Sequence, residues 1–282
     1  MRTFFRYLNG NGQLTGGLLI IGVMVILWVI GYFLVDTSHA SPLSASPDQP
    51  PSREFLLGTD SSGREILPAM IKGAPMTLEI GLIAGAVGLL VGTILGFSAG
   101  YFGGWVDAII RTAADVALTV PALAVLVVIA SVITQLLSPT IMAFIIASLA
   151  WMWPTRTIRS QVLTMRERAY VEVARLSGLN DFEIIFKELV PNLLPYLAAS
   201  FVGAVAAAVL AAIGLEALGL GPQSEPTLGM TIYWARYYAA LPRGMWWWWG
   251  PPVVIIILMF IGLFMVAGGL DQIANPRSRR AT

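Results

Sequence analysis

The chain of 282 residues has no cysteine, and histidine occurs once, at position 39. Disulfides, thiolate nucleophiles and cysteine metal sites are therefore excluded. His39 stands in a Ser/Pro-rich loop, where a lone imidazole is expected to be solvated, and it leaves no histidine cluster for a metal either. Charge is also scarce. Asp, Glu, Lys and Arg make up 12% of the residues, against about a quarter in soluble domains. The phosphate-cradling pattern G-x-x-x-x-G-K-[ST] is absent, so the chain does not hydrolyse ATP by that route. No ionisable residue falls at the centre of an apolar run; Glu79, Asp107, Asp115 and Glu216 all stand near run ends. That argues against a carrier powered by protons or sodium through a midplane charge.

What is present is apolar length. Hydrophobic residues make up 57% of the chain, and the mean hydropathy is +0.77. A helix needs about 20 apolar residues to cross a bilayer. Residues 16–35, 76–100, 116–137, 193–215 and 251–270 supply such runs, and 140–153 is a shorter one that extends through Pro154 towards Arg156. The expected fold class is an all-α polytopic membrane protein with six transmembrane helices. With the N-terminus inside, twelve of the 17 Lys and Arg fall on the inner side, among them Arg2, Arg6, Arg277, Arg279 and Arg280. The positive-inside rule then places both termini in the cytoplasm. The first run is too long for the apolar core of a cleaved signal peptide, so it is expected to stay as an anchor.

The expected organisation follows. Residues 1–15 form a cytoplasmic segment, 16–35 the first transmembrane helix and 36–75 an extracytoplasmic loop. Residues 76–270 form a five-helix core with a cytoplasmic loop at 156–192 and an outer loop at 216–250. Residues 271–282 form a basic cytoplasmic tail. In the second run Gly81, Gly85, Gly88, Gly92, Gly96 and Gly100 recur every three or four residues. That puts a glycine groove on one helical face, either a packing seam inside the subunit or a pore-lining surface. Trp234, Tyr237, Tyr238 and Trp246 crowd the outer loop, as an interfacial aromatic belt or as a stacking surface for cargo.

One stretch is polar. "EVARLSGLNDFEIIFKELVPN" occupies residues 172–192. It reads as a charged helix over 166–176, a turn at Gly178, and a second helix capped by Asn180 or Asp181. Phe182, Ile185, Phe186 and Leu189 are expected to form the apolar face of that second helix. Ala174, Ser177 and Gly178 leave a low surface that would enter a groove on a partner.

This stretch resembles the EAA loop of binding-protein-dependent ABC importer permeases: E-A-A, three residues, G, nine residues, then I-x-L-P. Glu172, Ala174, Gly178 and Pro191 match, while Val173, Glu188 and Val190 depart from the pattern. "LLGTDSSGREIL" at 56–67 resembles the G-T-D-x-x-G-R-D signature of the C-type subunit in the oligopeptide/dipeptide/nickel class, with Glu65 for the usual Asp. "LEALGLGPQSEPTLGMTI" at 215–232 and "GGLDQIANPRSR" at 268–279 resemble two later stretches of that subunit, with Ala217 for Phe and Asn275 for Asp.

The resemblance implies a type I ABC importer permease in the inner membrane, itself no enzyme and carrying no cofactor. ATP and Mg would sit on two cytoplasmic ATP-binding subunits. A second homologous permease and an extracytoplasmic substrate-binding protein would complete the assembly. Glu172, Val173, Ala174, Arg175, Ser177 and Gly178 would form the ATPase-coupling loop. Gly58, Thr59, Asp60, Gly63 and Arg64 would form the extracytoplasmic signature, either as a turn closed by an Asp60–Arg64 pair or as a contact for the binding protein. Peptides are the cargo of the class; oligosaccharides and metal complexes are carried by relatives. A self-powered carrier or channel is the alternative of another class.

Overall fold

The structure, a computed structural model, describes residues 11–133 and 137–274; the expected basic residues at both extremes and Asn275 lie outside these. The described residues are mainly α-helical, with a 3-10 turn at Thr37–Ala40 and loop from there to residue 65, and their one β-bridge joins Thr59 to Glu65. Ten helices follow in order: α1 (Gly12–Leu34), α2 (Ile66–Phe102), α3 (Gly104–Thr119), α4 (Ala122–Val132), α5 (Pro139–Ala150), α6 (Met152–Arg166), α7 (Ala169–Leu176), α8 (Asp181–Ala217), α9 (Leu228–Tyr237) and α10 (Trp246–Ala274). Within α8, residues 184–189 wind as a π-helix.

Four of these, α1, α2, α8 and α10, are long and apolar enough to cross a bilayer alone. The remaining two expected spans are bent pairs: α3 and α4 meet at 82°, and α5 and α6 at 43°. The expected single helix over 116–137 is therefore broken. Val120 is extended and Pro121 has no amide to continue the ladder, so the chain turns there. The other span pivots at Trp151. The expected loop 36–75 also ends early, because α2 begins at Ile66. Glu79 thus lies more than three turns inside α2, not near its start. With Trp28 and Tyr32 it lines an apolar groove of about 420 Å³ between α1 and α2.

The glycine row explains how α2 becomes the centre of the bundle. A Cβ on Gly85 would stand 2.8 Å from the Val205 amide nitrogen of α8, and one on Gly92 2.9 Å from the Trp151 carbonyl oxygen. Gly96 and Gly100 meet Ile158 and Val162 of α6 just as closely, while Gly81 meets α8 and Gly88 meets Ala150 of α5. Lipid offers no hydrophobic drive between helices, so this close backbone approach supplies the association. The row is an internal seam, occupied along its length by the chain's own helices. α1 packs against α10 in the same way, through Gly17, Gly262 and Gly269. Asn11 caps α1 by accepting from the Leu14 amide, and its Nδ2 donates to the Gly269 carbonyl at 2.8 Å.

Candidate functional site

The polar loop forms a compact elbow. Ala169, Glu172, Ala174, Arg175 and Leu176 favour helix, and α7 carries them for two turns. The expected helix over 166–176 is interrupted, since α6 stops at Arg166 and Arg168 is extended before α7 starts. Gly178 ends α7 at φ +85°. Its amide donates to the Arg175 carbonyl, and the Leu179 amide donates to the Ala174 carbonyl at 3.2 Å, which satisfies the last turn. α8 then opens with a capping box. The Glu183 amide donates to Asn180 Oδ1, and the Asn180 amide donates back to Glu183 Oε2.

Burial sorts the loop residues. Val171 and Ala174 face inward, into a cluster with Phe97, Ile158, Val162 and Ile184. Ala174 is therefore a packing residue and not part of an exposed low surface. Glu172, Val173, Arg175, Leu176, Ser177 and Gly178 are exposed, Leu176 by 83%. The expected apolar face of the second helix also changes. Ile184, Ile185 and Leu189 are buried, whereas Phe182 and Phe186 stand 68% and 67% exposed. The π turn accommodates this by placing two successive isoleucines inward. Val173, expected in the coupling loop, is thus joined as an exposed apolar residue of the elbow by Leu176, which the sequence reading passed over, and by Phe182 and Phe186, which it assigned to an apolar face.

Ionic contacts tie the elbow to the bundle. Arg159 pairs with Asp107 through two hydrogen bonds, Nη2 to Oδ2 at 2.6 Å and Nε to Oδ1. Arg156 approaches Asp115 at 3.8 Å. Arg166 Nη1 donates to the Gly100 carbonyl at 3.0 Å and to the Tyr101 carbonyl at 3.3 Å, capping the end of α2. Tyr101 donates to Asp181 Oδ1 at 2.7 Å, and the Arg175 guanidinium lies 5.7 Å from its ring centre.

At the opposite end, the signature loop is wired inward. Gly58 and Gly63 take positive φ, at +70° and +74°. Thr59 donates to the Ser46 carbonyl and accepts from the Gln49 amide. Asp60 Oδ1 accepts from the amides of Ser62 and Arg64, both at 2.8 Å. The expected Asp60–Arg64 pair is therefore a turn held through the backbone of Arg64, and Nε of that buried arginine has no hydrogen-bond partner. Burial pushes the Asp60 carboxyl above its usual range, against the pull of those two amides. His39 is not simply solvated: its Nδ1 pairs with Glu65. Arg243 reaches across from the second outer loop to Asp48 at 2.6 Å and Ser61 at 2.9 Å, and Trp247 donates to the Thr59 carbonyl.

Trp234, Tyr237 and Tyr238 form a contiguous cluster, whereas the ring of Trp246 meets that of Trp247. Trp234 stacks edge-on to Tyr237 at 5.6 Å and lies 6.1 Å from Tyr238, which stacks on Trp248 at 5.9 Å. Tyr237 and Trp246 remain exposed. Beside it lies a residue that burial brings forward. Glu216 is fully buried at the end of α8, between Gly221 and Gly229, each of which leaves room that a side chain would fill. Its nearest donors are the Thr227 hydroxyl and the Gly229 and Met230 amides at the start of α9. Both carboxylate oxygens nevertheless lack a partner of full hydrogen-bond geometry. The two glycines, thirteen and five residues downstream of it, were the sequence signal that could have found it.

A cavity of about 700 Å³ opens between the α3–α4 break, α6 and α8. Ser200, Gly203, Ala204 and Ala207 of α8 form one wall, with Tyr196 and Asp271 towards one end. No group of three or more metal-ligating side chains occurs among the described residues.

The fold defines a polytopic helical membrane protein with an exposed polar elbow between α6 and α8. The model of the family described as binding-protein-dependent transport system inner membrane component matches residues 88–280, and the chain belongs to that family. The fold is that of a type I ABC importer permease. A dipeptide transport system permease protein of Alkalihalophilus pseudofirmus is 29% identical over 79% of this chain and 73% of its own length. An oligopeptide transport system permease protein of Bacillus subtilis is 28% identical over 94% of this chain and 85% of its own. Among solved structures, the MetNI methionine ABC transporter in inward-facing form matches with a TM-score of 0.55 at 17% identity, covering 72% of this chain and 94% of the matched one.

Proposed function

We propose that this chain is one of two permease subunits of an ATP-driven importer for peptides, and that the elbow at 156–192 is where cytoplasmic ATPases drive it. The observation that carries this reading is the sorting of α7. Val171 and Ala174 are anchored in the bundle, while Val173 and Leu176 stand exposed beside the Gly178 turn. Such a face loses free energy in water and gains it in a partner's cleft, at about 25 cal/mol per Å² buried. The peptide cargo rests on the names of the dipeptide and oligopeptide relatives.

In this reading two ATP-binding subunits seat α7 from below, and ATP and Mg stay on them. A second, homologous permease covers the α8 wall, so that the cavity of about 700 Å³ becomes half of the translocation path. An extracytoplasmic substrate-binding protein delivers cargo at the signature-loop end. The chain is multi-pass in the cytoplasmic membrane with both termini inside. Transport is then rigid-body rocking of the two bundles about a mechanical contact.

The test is gentle affinity purification of the tagged chain from its native membrane, followed by mass spectrometry. A second permease and P-loop ATPases should co-purify, and peptides should stimulate ATP hydrolysis when the co-encoded binding protein is added. Recovery as a homo-oligomer with no ATPase would overturn the reading in favour of a self-powered carrier or channel.

A further inference from the structure

One residue outside the expected coupling residues contacts every element that meets at the elbow, α7 and α8 through its side chain and α6 through its backbone. Tyr101 ends α2 and is 6% exposed. Its ring lies beneath the Arg175 guanidinium of α7. Its hydroxyl donates to Asp181 in the first turn of α8. Its carbonyl, with that of Gly100, accepts from Arg166 at the end of α6. We propose that Tyr101 is the positioning residue that makes α7, α8 and α2 move as one body when the elbow is pushed. The proposal rests on the coupling-loop reading and extends it from the loop's surface to its linkage with the bundle.

The physical need for such a link is plain from the elbow's construction. Between α7 and α8 lie Ser177, Gly178, Leu179 and Asn180, and Gly178 has no Cβ to brace the turn. The apolar contacts beneath α7 come from Val171, Ala174 and the half-buried Tyr170, and such non-directional contacts can slide over their cluster. A hydrogen bond to a carboxylate is directional and does not slide. Arg175 and Asp181 stand on opposite sides of the glycine turn, and Tyr101 engages the cation with its ring face and the anion with its hydroxyl. A displacement of α7 therefore reaches the α8 N-terminus through one rigid ring. From α2 it continues along the glycine seam into α6 and α8.

Tyr101→Phe removes one oxygen and keeps the ring for Arg175 and the cluster. The assay is the full transporter in proteoliposomes, with ATP hydrolysed and labelled dipeptide imported measured in the same sample. The expected result is normal assembly and an unimpaired hydrolysis rate, with cargo moved per ATP down about tenfold, the scale of one hydrogen bond to a charged group. Asp181→Ala, at an exposed position, should give the same loss, and the double variant should be no worse than either single one. An unchanged import-to-hydrolysis ratio in Tyr101→Phe, or losses that multiply in the double variant, would overturn the proposal. If Tyr101→Phe lowers the amount of folded protein, Asp181→Ala decides by the same ratio. Leu176→Asp separates this from the underlying reading. It should release the ATPases altogether, and ATPase association that survives it would sink the coupling-loop assignment, whatever Tyr101 does.

Discussion

Gly85→Ala puts a number on the α2 seam. The new Cβ would stand 2.8 Å from the Val205 nitrogen and 3.0 Å from its Cα, both on the α8 backbone. Relaxed contacts of this kind lie near 3.5–4.0 Å. A side chain could rotate away, but a helix backbone cannot, so α2 and α8 must part by about 0.5–1 Å. A gap of that size forfeits roughly a quarter to a half of every dispersion contact it opens. Overpacking of this sort costs about 1–3 kcal/mol. The better helix propensity of alanine returns up to about 1 kcal/mol. With that return in full, the net loss is about 0–2 kcal/mol, near 1 at mid-range. Gly85→Leu adds three more carbons with nowhere to go and costs more than either figure. Gly22 of α1 is the control, since a Cβ there meets nothing within 4 Å. The assay is thermal unfolding in mild detergent, read by the monodisperse fraction. Gly85→Ala should melt a few degrees below the parent, Gly85→Leu should be recovered aggregated, and Gly22→Ala should melt at or above the parent. A Gly85→Leu protein that melts with the parent would refute the seam.

Three further outcomes are expected. Glu172→Ala, and Gly178→Val with its φ of +85°, should insert normally and hydrolyse ATP without import; the glycine change carries about 1–2 kcal/mol of local strain, and normal import by both would remove the elbow from the mechanism. Arg243→Ala removes the tie from the second outer loop to Asp48 and Ser61, which keep their bond to each other, so residues 41–56 should be nicked faster by protease added outside, while the transmembrane fragments stay intact. The Glu65 hydrogen bond, and then its charge, hold the His39 pKa above the ordinary 6.5. A raised pKa makes the pair's contribution complete below 6.5 and lost as pH climbs through the folded-state value. Protection of this loop should therefore fall with rising pH in that window, and His39→Gln should flatten the profile.

Residue spacing made the glycine seam and the Gly178 turn readable, because each rests on local rules. Gly81 to Gly100 share a face by helical period alone, and Gly178 at φ +85° closes α7 through backbone bonds a few residues apart. The α3–α4 break carries a signal as well, Pro121 within the apolar run, to which a count of run length alone is blind. The orientation of Phe182 and Phe186 was not legible. A π turn shifts the face by one residue, and nothing in a 3.6-residue period announces it. Tyr101 was hidden for a different reason. Its partners stand 65 to 80 residues away in sequence, and no spacing rule joins the end of one helix to the start of another that far downstream. Glu216 looked like a charge at a helix end, and only the placement of Gly221 and Gly229 around it turns that end into an interior.

In the proposed mechanism the same economy of side chains lets so greasy a chain transmit force. In water, helices are held by burying apolar area, and a push is absorbed by repacking of long flexible side chains. Here α2 meets α5, α6 and α8 through glycines, with neighbouring backbone and short side chains about 3 Å from where a Cβ would stand. There is little between those backbones to deform. A displacement at one end of α2 therefore reaches the other end with little loss, and the helix is long enough to matter. Its 37 residues span about 55 Å at 1.5 Å per residue, well beyond the ~30 Å hydrocarbon core. The end with Tyr101 joins the elbow, while the other end carries Glu65 paired to His39 and Lys72 paired to Glu225 at 2.9 Å. Glu225 lies in the turn before α9, which carries Trp234 and Tyr237 of the aromatic cluster, and Arg243 links the neighbouring outer loop to the signature loop. One helix, interrupted in its hydrogen-bond ladder only at Pro75, thus runs from the exposed apolar elbow to both outer loops. Loosening its glycine seam should weaken coupling even where each end is left untouched.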